Sequence, residues 1–215
     1  MLLIMISGCG KEEDPVAGGS VTDIEGNTYR YVVIGSQTWM AENLKTGTFN
    51  DGSEIRLVTR DNFWSSTTAP AYCWYNNDHE TYGEMYGAMY NWYAVETGKL
   101  CPVGWHVPKD REWTQLTDYL GGENEAVDKL KEAGSLHWIS LNSTATNSSG
   151  FTALPNGIRF PFEYTFSDIG FAANWWSSDE VIQDKRFAWY RELWTEIRRD
   201  GSLKIFGIGV RCIKD

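Results

Sequence analysis

The sequence predicts an α+β fold of antiparallel sheets, about three helices and long irregular loops. Three observations carry this. Runs of β-branched and aromatic residues, broken by turn signals, occupy the first and last thirds of the chain. Apolar residues at helical spacing occupy the middle. No segment repeats and no shift in composition marks a second domain, so strands, helices and strands read as one layered unit.

The tail comes first. Residues 1–9 read M-L-L-I-M-I-S-G-C, and Ile6-Ser7-Gly8-Cys9 resembles a bacterial lipobox, whose cysteine is lipidated after cleavage. The apolar run is too short to span a bilayer and no basic region precedes it, which points to a start further upstream or a truncated chain. The polar, glycine-rich stretch that follows suits a flexible tether. The reading is a lipoprotein signal remnant and tether over residues 1–20 and a domain over 21–215, with Cys9 anchoring it to the outer membrane or cell surface.

Residues 21–44 read as a β-meander. Glu25-Gly26-Asn27 and Gly35-Ser36-Gln37 are its turns, and residues 29–34 and 38–41 its strand-like runs. Asn50-Asp51-Gly52 is a further turn, and residues 49–82 are irregular, with Trp64, Trp74 and Asn76-Asn77-Asp78 on loops. Met85, Met89, Trp92 and Tyr93 recur at helical spacing, so residues 85–95 read as a helix that Gly98 ends. Pro102 and Pro108 then forbid a plain helix or central strand. Trp105 and Val107 alternate around His106 as on a short extended piece, and Asp110 stands at an N-cap position. Residues 110–120 form the next helix, with Trp113, Leu116 and Leu120 on one face, and residues 123–133 a third one. Residues 140–149 are a polar loop.

The last third is β-like. Pro155-Asn156-Gly157 reads as a turn. Residues 175–178 and 187–193 read as strands across a polar turn at Gln183-Asp184-Lys185. Arg199-Asp200-Gly201-Ser202 has hairpin-turn chemistry, and residues 204–213 form the closing strand.

The formal charge of −10 repels phosphate backbones, and Arg198-Arg199 is too short a basic run to offset it. Nucleic acid is therefore excluded as a partner. With Cys9 set apart, Cys73, Cys101 and Cys212 remain, and an exported protein meets an oxidising environment. A disulfide between Cys101 and Cys212 is favoured, with three reduced thiols as the alternative.

In order, the chain contains V-T-D-I-E-G-N-T-Y, I-G-S-Q-T-W-M-A-E-N-L, Y-C-W-Y-N-N-D, Y-G-A-M-Y-N-W-Y-A-V, C-P-V-G-W-H-V-P-K-D-R-E-W, F-T-A-L-P-N-G-I-R, W-W-S-S and G-V-R-C-I-K-D. This series resembles the Fibrobacter succinogenes major paralogous domain, found in secreted and surface proteins of Bacteroidetes and Fibrobacteres. The resemblance implies a C-type-lectin-like fold of the kind used by formylglycine-generating enzymes, and it implies no activity. Two positions depart from the pattern. Lys109 replaces a capping Thr, which moves the cap to Asp110 or removes it, and Phe160-Pro161-Phe162 stands where the family has a glycine-rich turn. The acidic run after Cys9 resembles a surface-export signal of Bacteroidetes lipoproteins.

Eleven Trp and eleven Tyr are an unusual load, and aromatics serve both cores and binding faces. In lectin-like folds the ligand face is built from the last third, which here holds Trp175, Trp176, Trp189, Tyr190 and Trp194. Alternation predicts one of Trp175 and Trp176 buried and the other more exposed. It also places Trp189 with Arg191 and Tyr190 with Glu192, the latter pair outward and Arg191 buried among many partners. Asn76, Asn77, Asp78 and Glu80 offer oxygen ligands for Ca²⁺, against an ordinary turn. His79, His106 and His137 are scattered and read as structural. Asp179, Glu180, Asp184 and Glu192 supply acid/base candidates, against plain surface charge. The paired cysteines of formylglycine-generating enzymes have no local counterpart. The expectation is a surface-anchored protein that binds a glycan or a protein without turnover. An enzyme on the same scaffold, or an adhesive subunit of a surface assembly, is the alternative.

Overall fold

The computed structural model describes residues 16–139, 142–162 and 166–215, so the lipobox and Cys9 lie outside the described residues. In chain order its elements are β1 (Val16–Thr22), β2 (Thr28–Ile34), β3 (Gln37–Met40), β4 (Arg56–Leu57), α1 (Asp61–Trp64), β5 (Ala71–Cys73), α2 (Glu84–Tyr86), β6 (Met89–Tyr90), α3 (Trp92–Glu96), β7 (Trp105–His106), α4 (Asp110–Tyr119), α5 (Glu123–Leu130), β8 (Asn156–Arg159), β9 (Phe166–Ile169), β10 (Ala173–Glu180), β11 (Phe187–Leu193), β12 (Ile197–Leu203) and β13 (Ile213–Lys214). Helices and sheets mix as expected, with five α-helices among the described residues instead of three. No helix among them is long and apolar enough to cross a membrane.

The meander β1–β2–β3 extends through β13 to β7. Asp23 shapes its first turn, accepting from the Glu25 and Asn27 amides at 3.0 and 2.9 Å and from the Tyr29 hydroxyl at 2.7 Å. Further sheets have the orders β4–β5–β6, β8–β9 and β10–β11–β12. The pairs are antiparallel except β4 with β5, which runs parallel.

Five local expectations differ from the structure. The helix expected over 85–95 is two short helices separated by β6. Gly87 breaks it at φ +77°, where a Cβ would lie 2.7 Å from Asn43 Cβ and 2.8 Å from the Leu44 carbonyl. The chain can restart because the Asn91 side chain caps α3, accepting from the Ala94 amide at 3.2 Å. Asn156-Gly157 is not a turn but the start of β8, because the buried Asn156 amide pairs across to Asn174, accepting from its N–H at 2.7 Å and donating to its carbonyl at 3.0 Å.

Asp200-Gly201 likewise sits inside β12, and the chain reverses at residues 194–196, where Leu193 faces Ile197. Gly201 lies opposite Trp189, and a Cβ there would crowd the Val181 side chain at 3.2 Å. The closing strand shrinks to Ile213–Lys214. Upstream of it, Gly207 bridges to Arg159, Ile208 to Tyr90 and Gly209 to Trp175, so each residue serves a different neighbour and no ladder forms.

Lys109, not Asp110, is the N-cap of α4. An ammonium cannot accept an amide bond, so the capping is one-sided: the Glu112 carboxylate accepts from the Lys109 N–H at 2.7 Å.

Two main apolar clusters form the core. One gathers Tyr29, Met40, Tyr90, Trp92, Trp105 and Trp176 among others, the second Trp39, Trp113, Trp138, Phe151 and Trp175. β10 runs between them. In the structure a disulfide joins Cys101 to Cys212, while Cys73 is free and buried, its thiol pushed up to about 11 by burial.

Candidate functional site

The sheet β10–β11–β12 carries the aromatics that the sequence singled out, and the structure sorts them. Trp175 and Trp176 are both buried, 1% and 0% exposed, which corrects the expectation that one of them faces outward. Strand alternation does send them to opposite faces, but each face of β10 meets an apolar cluster. Trp175 stacks on Trp113 at 5.6 Å and donates to Asn43 Oδ1 at 2.8 Å. Trp176 donates to the Tyr90 carbonyl at 2.8 Å on the other side. Neither presents a surface to a ligand.

Tyr190 is half-buried against Trp176, and burial lifts its hydroxyl well above the usual range. It therefore belongs more to the core than to a platform. Trp189 is half-buried like Tyr190, and Trp194, in the loop joining β11 to β12, is 40% exposed.

Arg191 is buried and paired. It donates to Asp110 Oδ1 at 2.6 Å and to the Asp110 carbonyl at 3.1 Å, with Thr114 Oγ1 at 3.4 Å. Its partners thus lie at the N-terminal end of α4. The same carboxylate holds Arg199, Nε lying 2.9 and 2.8 Å from its oxygens. Burial raises the Asp110 carboxyl, but Arg199 and Arg191 outweigh it and hold the group below the usual carboxylate range. Asp179 completes the junction by accepting from the Asp110 amide at 2.7 Å. Arg199 then lies over the Trp189 ring, 3.5 Å from its centroid. Asp110, chosen by its place after Pro108, turns out to be the hub that orders this hairpin.

The other candidates have structural employment. Asp78 caps the turn at 79–83 by accepting from the Thr81 amide at 3.0 Å, and Asn77 donates to the Thr59 carbonyl at 3.0 Å. Asn76 and Asn77 adopt φ +52° and +57°, as turn asparagines do. Among the described residues no group of three His, Cys, Asp or Glu is placed to hold a metal ion. His106 bridges Asp215 at 2.6 Å and Glu112 at 3.0 Å, tying the last residue of the domain to α4. The cleft of about 490 Å³ beside it is lined by these same groups with Lys109, Arg111 and Ser178.

Of the acid/base candidates, Glu180 pairs with Lys204 and Asp184 with Arg186. Glu192 is half-buried, and burial pushes its carboxyl up, with Asp168 and Asp200 adding to the shift.

One groove escaped the sequence entirely. It is lined by Glu25, Thr48, Glu54, Arg56, Leu57 and Tyr72. These residues come from three separated stretches, and no local pattern joins them.

No curated protein and no solved structure matches the chain. A family model described as the Fibrobacter succinogenes major domain matches residues 32–214. That span covers β3 through β13, including the Asp110 hub and both disulfide cysteines. The chain belongs to the Fibrobacter succinogenes major domain family.

Proposed function

We propose that this protein is held at the cell exterior by a lipid on Cys9. There it binds a glycan or a protein through a C-type-lectin-like domain, without turnover. Small antiparallel sheets joined by long loops around two longer helices support that fold reading. The observation that carries the binding role is the Trp189–Arg199 pair. Trp and Arg dominate binding energies when they are presented rigidly, because little side-chain freedom is lost on contact. Here Arg199 is pinned to Asp110, and Asp110 is itself pinned to the buried Arg191. Trp194 is exposed in the loop at the tip of the same hairpin.

A glycan array identifies a ligand, and titration then reads the site. Trp189→Ala is expected to weaken binding by about 1–3 kcal/mol, with Trp194→Ala acting in the same direction. Unchanged affinity in both variants, with unchanged melting, rejects this face. The anchor has its own measurement. In the native host, Cys9→Ala is expected to move the protein from the membrane fraction to the soluble fraction, and unaltered fractionation removes the anchor from the proposal.

A further inference from the structure

The groove between the 47–57 segment and β5 has the chemistry of a second binding site. Its volume is about 520 Å³, within the span of small-ligand sites. The loop that forms it is well held. Thr48 bridges Glu54, and the Ile55 amide donates to the Gly47 carbonyl at 2.8 Å. The Glu25 carboxylate accepts from the Gly47 amide at 3.1 Å and from the Thr48 hydroxyl at 2.6 Å. Ile55 is buried, so Glu54 and Arg56 on either side of it point outward together.

Tyr72 forms the opposite wall. The parallel pairing of β4 with β5 sets it beside Leu57. A Cβ at residue 47 would lie 2.6 Å from the Tyr72 hydroxyl, so Gly47 is what leaves the phenol its place. Trp74, two residues on, braces Tyr72 edge-on at 5.6 Å. The Glu54 carboxylate, the Arg56 guanidinium and the Tyr72 hydroxyl have no hydrogen bond or ion pair among the described residues.

We propose that this groove binds a neutral saccharide, its hydroxyls donating to Glu54 and accepting from Arg56 while a sugar face packs on Tyr72. A hydroxyl both donates and accepts, so it satisfies a carboxylate and a guanidinium placed side by side. An anion meets Glu25, Glu54 and a molecule of net charge −10, and a cation, though drawn to those carboxylates, leaves the Arg56 guanidinium without an acceptor. An aromatic wall favours the apolar face of a sugar ring over an extended polar peptide. The groove shares no residue with the Trp189 face and stands whether or not that face binds.

The test is isothermal titration of the full chain with cellohexaose, xylohexaose, mannohexaose and maltohexaose, with polygalacturonate and hexalysine as charged probes. At least one neutral oligosaccharide is expected to bind. Its affinity should fall at least tenfold in Tyr72→Ala and in the double variant Glu54→Gln/Arg56→Gln, and stay unchanged in Trp189→Ala. The double variant removes no partner within the fold, so it melts like wild type and keeps the test valid should Tyr72→Ala fail to fold. Three outcomes overturn the proposal: no neutral oligosaccharide binds, a charged probe is preferred, or the double variant binds like wild type.

Discussion

Asn43→Ala is expected to cost about 3–5 kcal/mol of folding stability, the range for stranding a buried charge. Asn43 is buried, and its Oδ1 accepts from Trp175 Nε1 at 2.8 Å and from Arg211 Nε and Nη2 at 3.0 and 2.8 Å. Its amide donates to the Tyr86 carbonyl at 2.9 Å. Arg211 is 1% exposed and stacks on Phe151, 4.2 Å from the ring centroid. Its remaining acceptors are the Phe151 and Thr152 carbonyls, so no carboxylate contacts it, and burial pulls its guanidinium down.

Such a cation stays charged in the core only because neutral oxygens surround it. Removing Asn43 Oδ1 leaves two guanidinium donors and an indole N–H without an acceptor, each costing about 1–3 kcal/mol and more where charge is involved. Against a total of about 5–15 kcal/mol for a typical domain, the loss is large. Denaturant unfolding measures it. Asn43→Asp keeps an oxygen in place and gives Arg211 a charged partner, so it should lose less. A loss below about 1 kcal/mol in Asn43→Ala would show that Arg211 finds other acceptors.

The second large effect concerns the disulfide. Cys101 and Cys212 are 111 residues apart in sequence and both are buried. In the chain-entropy treatment a loop of that size contributes about 4–5 kcal/mol, an upper figure because any native strain subtracts. The bond ties the link ahead of β7 to the segment whose Cys212 carbonyl accepts from Met40 in β3 at 3.0 Å. Cys101→Ala/Cys212→Ala should therefore unfold at markedly lower denaturant, as should wild type under reductant. Peptide mapping without reduction that finds both thiols free would sink this.

Much of the chain could be read locally, and the exceptions share a cause. Glu25-Gly26-Asn27 makes its turn because Asp23, two residues earlier, supplies the acceptor, so all the chemistry is contiguous. Trp113 and Leu116 show the 3.6-residue period on α4, and both are buried. Asn156-Gly157 and Asp200-Gly201 carry the same turn-forming residue types but lie in strands, because Asn174 and Trp189 wait across the sheet.

The family motifs, the α+β class, the Glu25-Gly26-Asn27 turn and the period of α4 were legible along the chain. Those are properties of neighbours along the chain. Which aromatics stay exposed depends on long-range packing. Alternation says that Trp175 and Trp176 point opposite ways, but not that an apolar cluster covers each face of β10. Only the tertiary structure made Asp110 a hub for Arg191 and Arg199, and brought Glu54 and Arg56 beside Tyr72. Periodicity and turn propensity report what a backbone tolerates, whereas burial and ion pairing depend on residues far away in sequence that folding brings into contact.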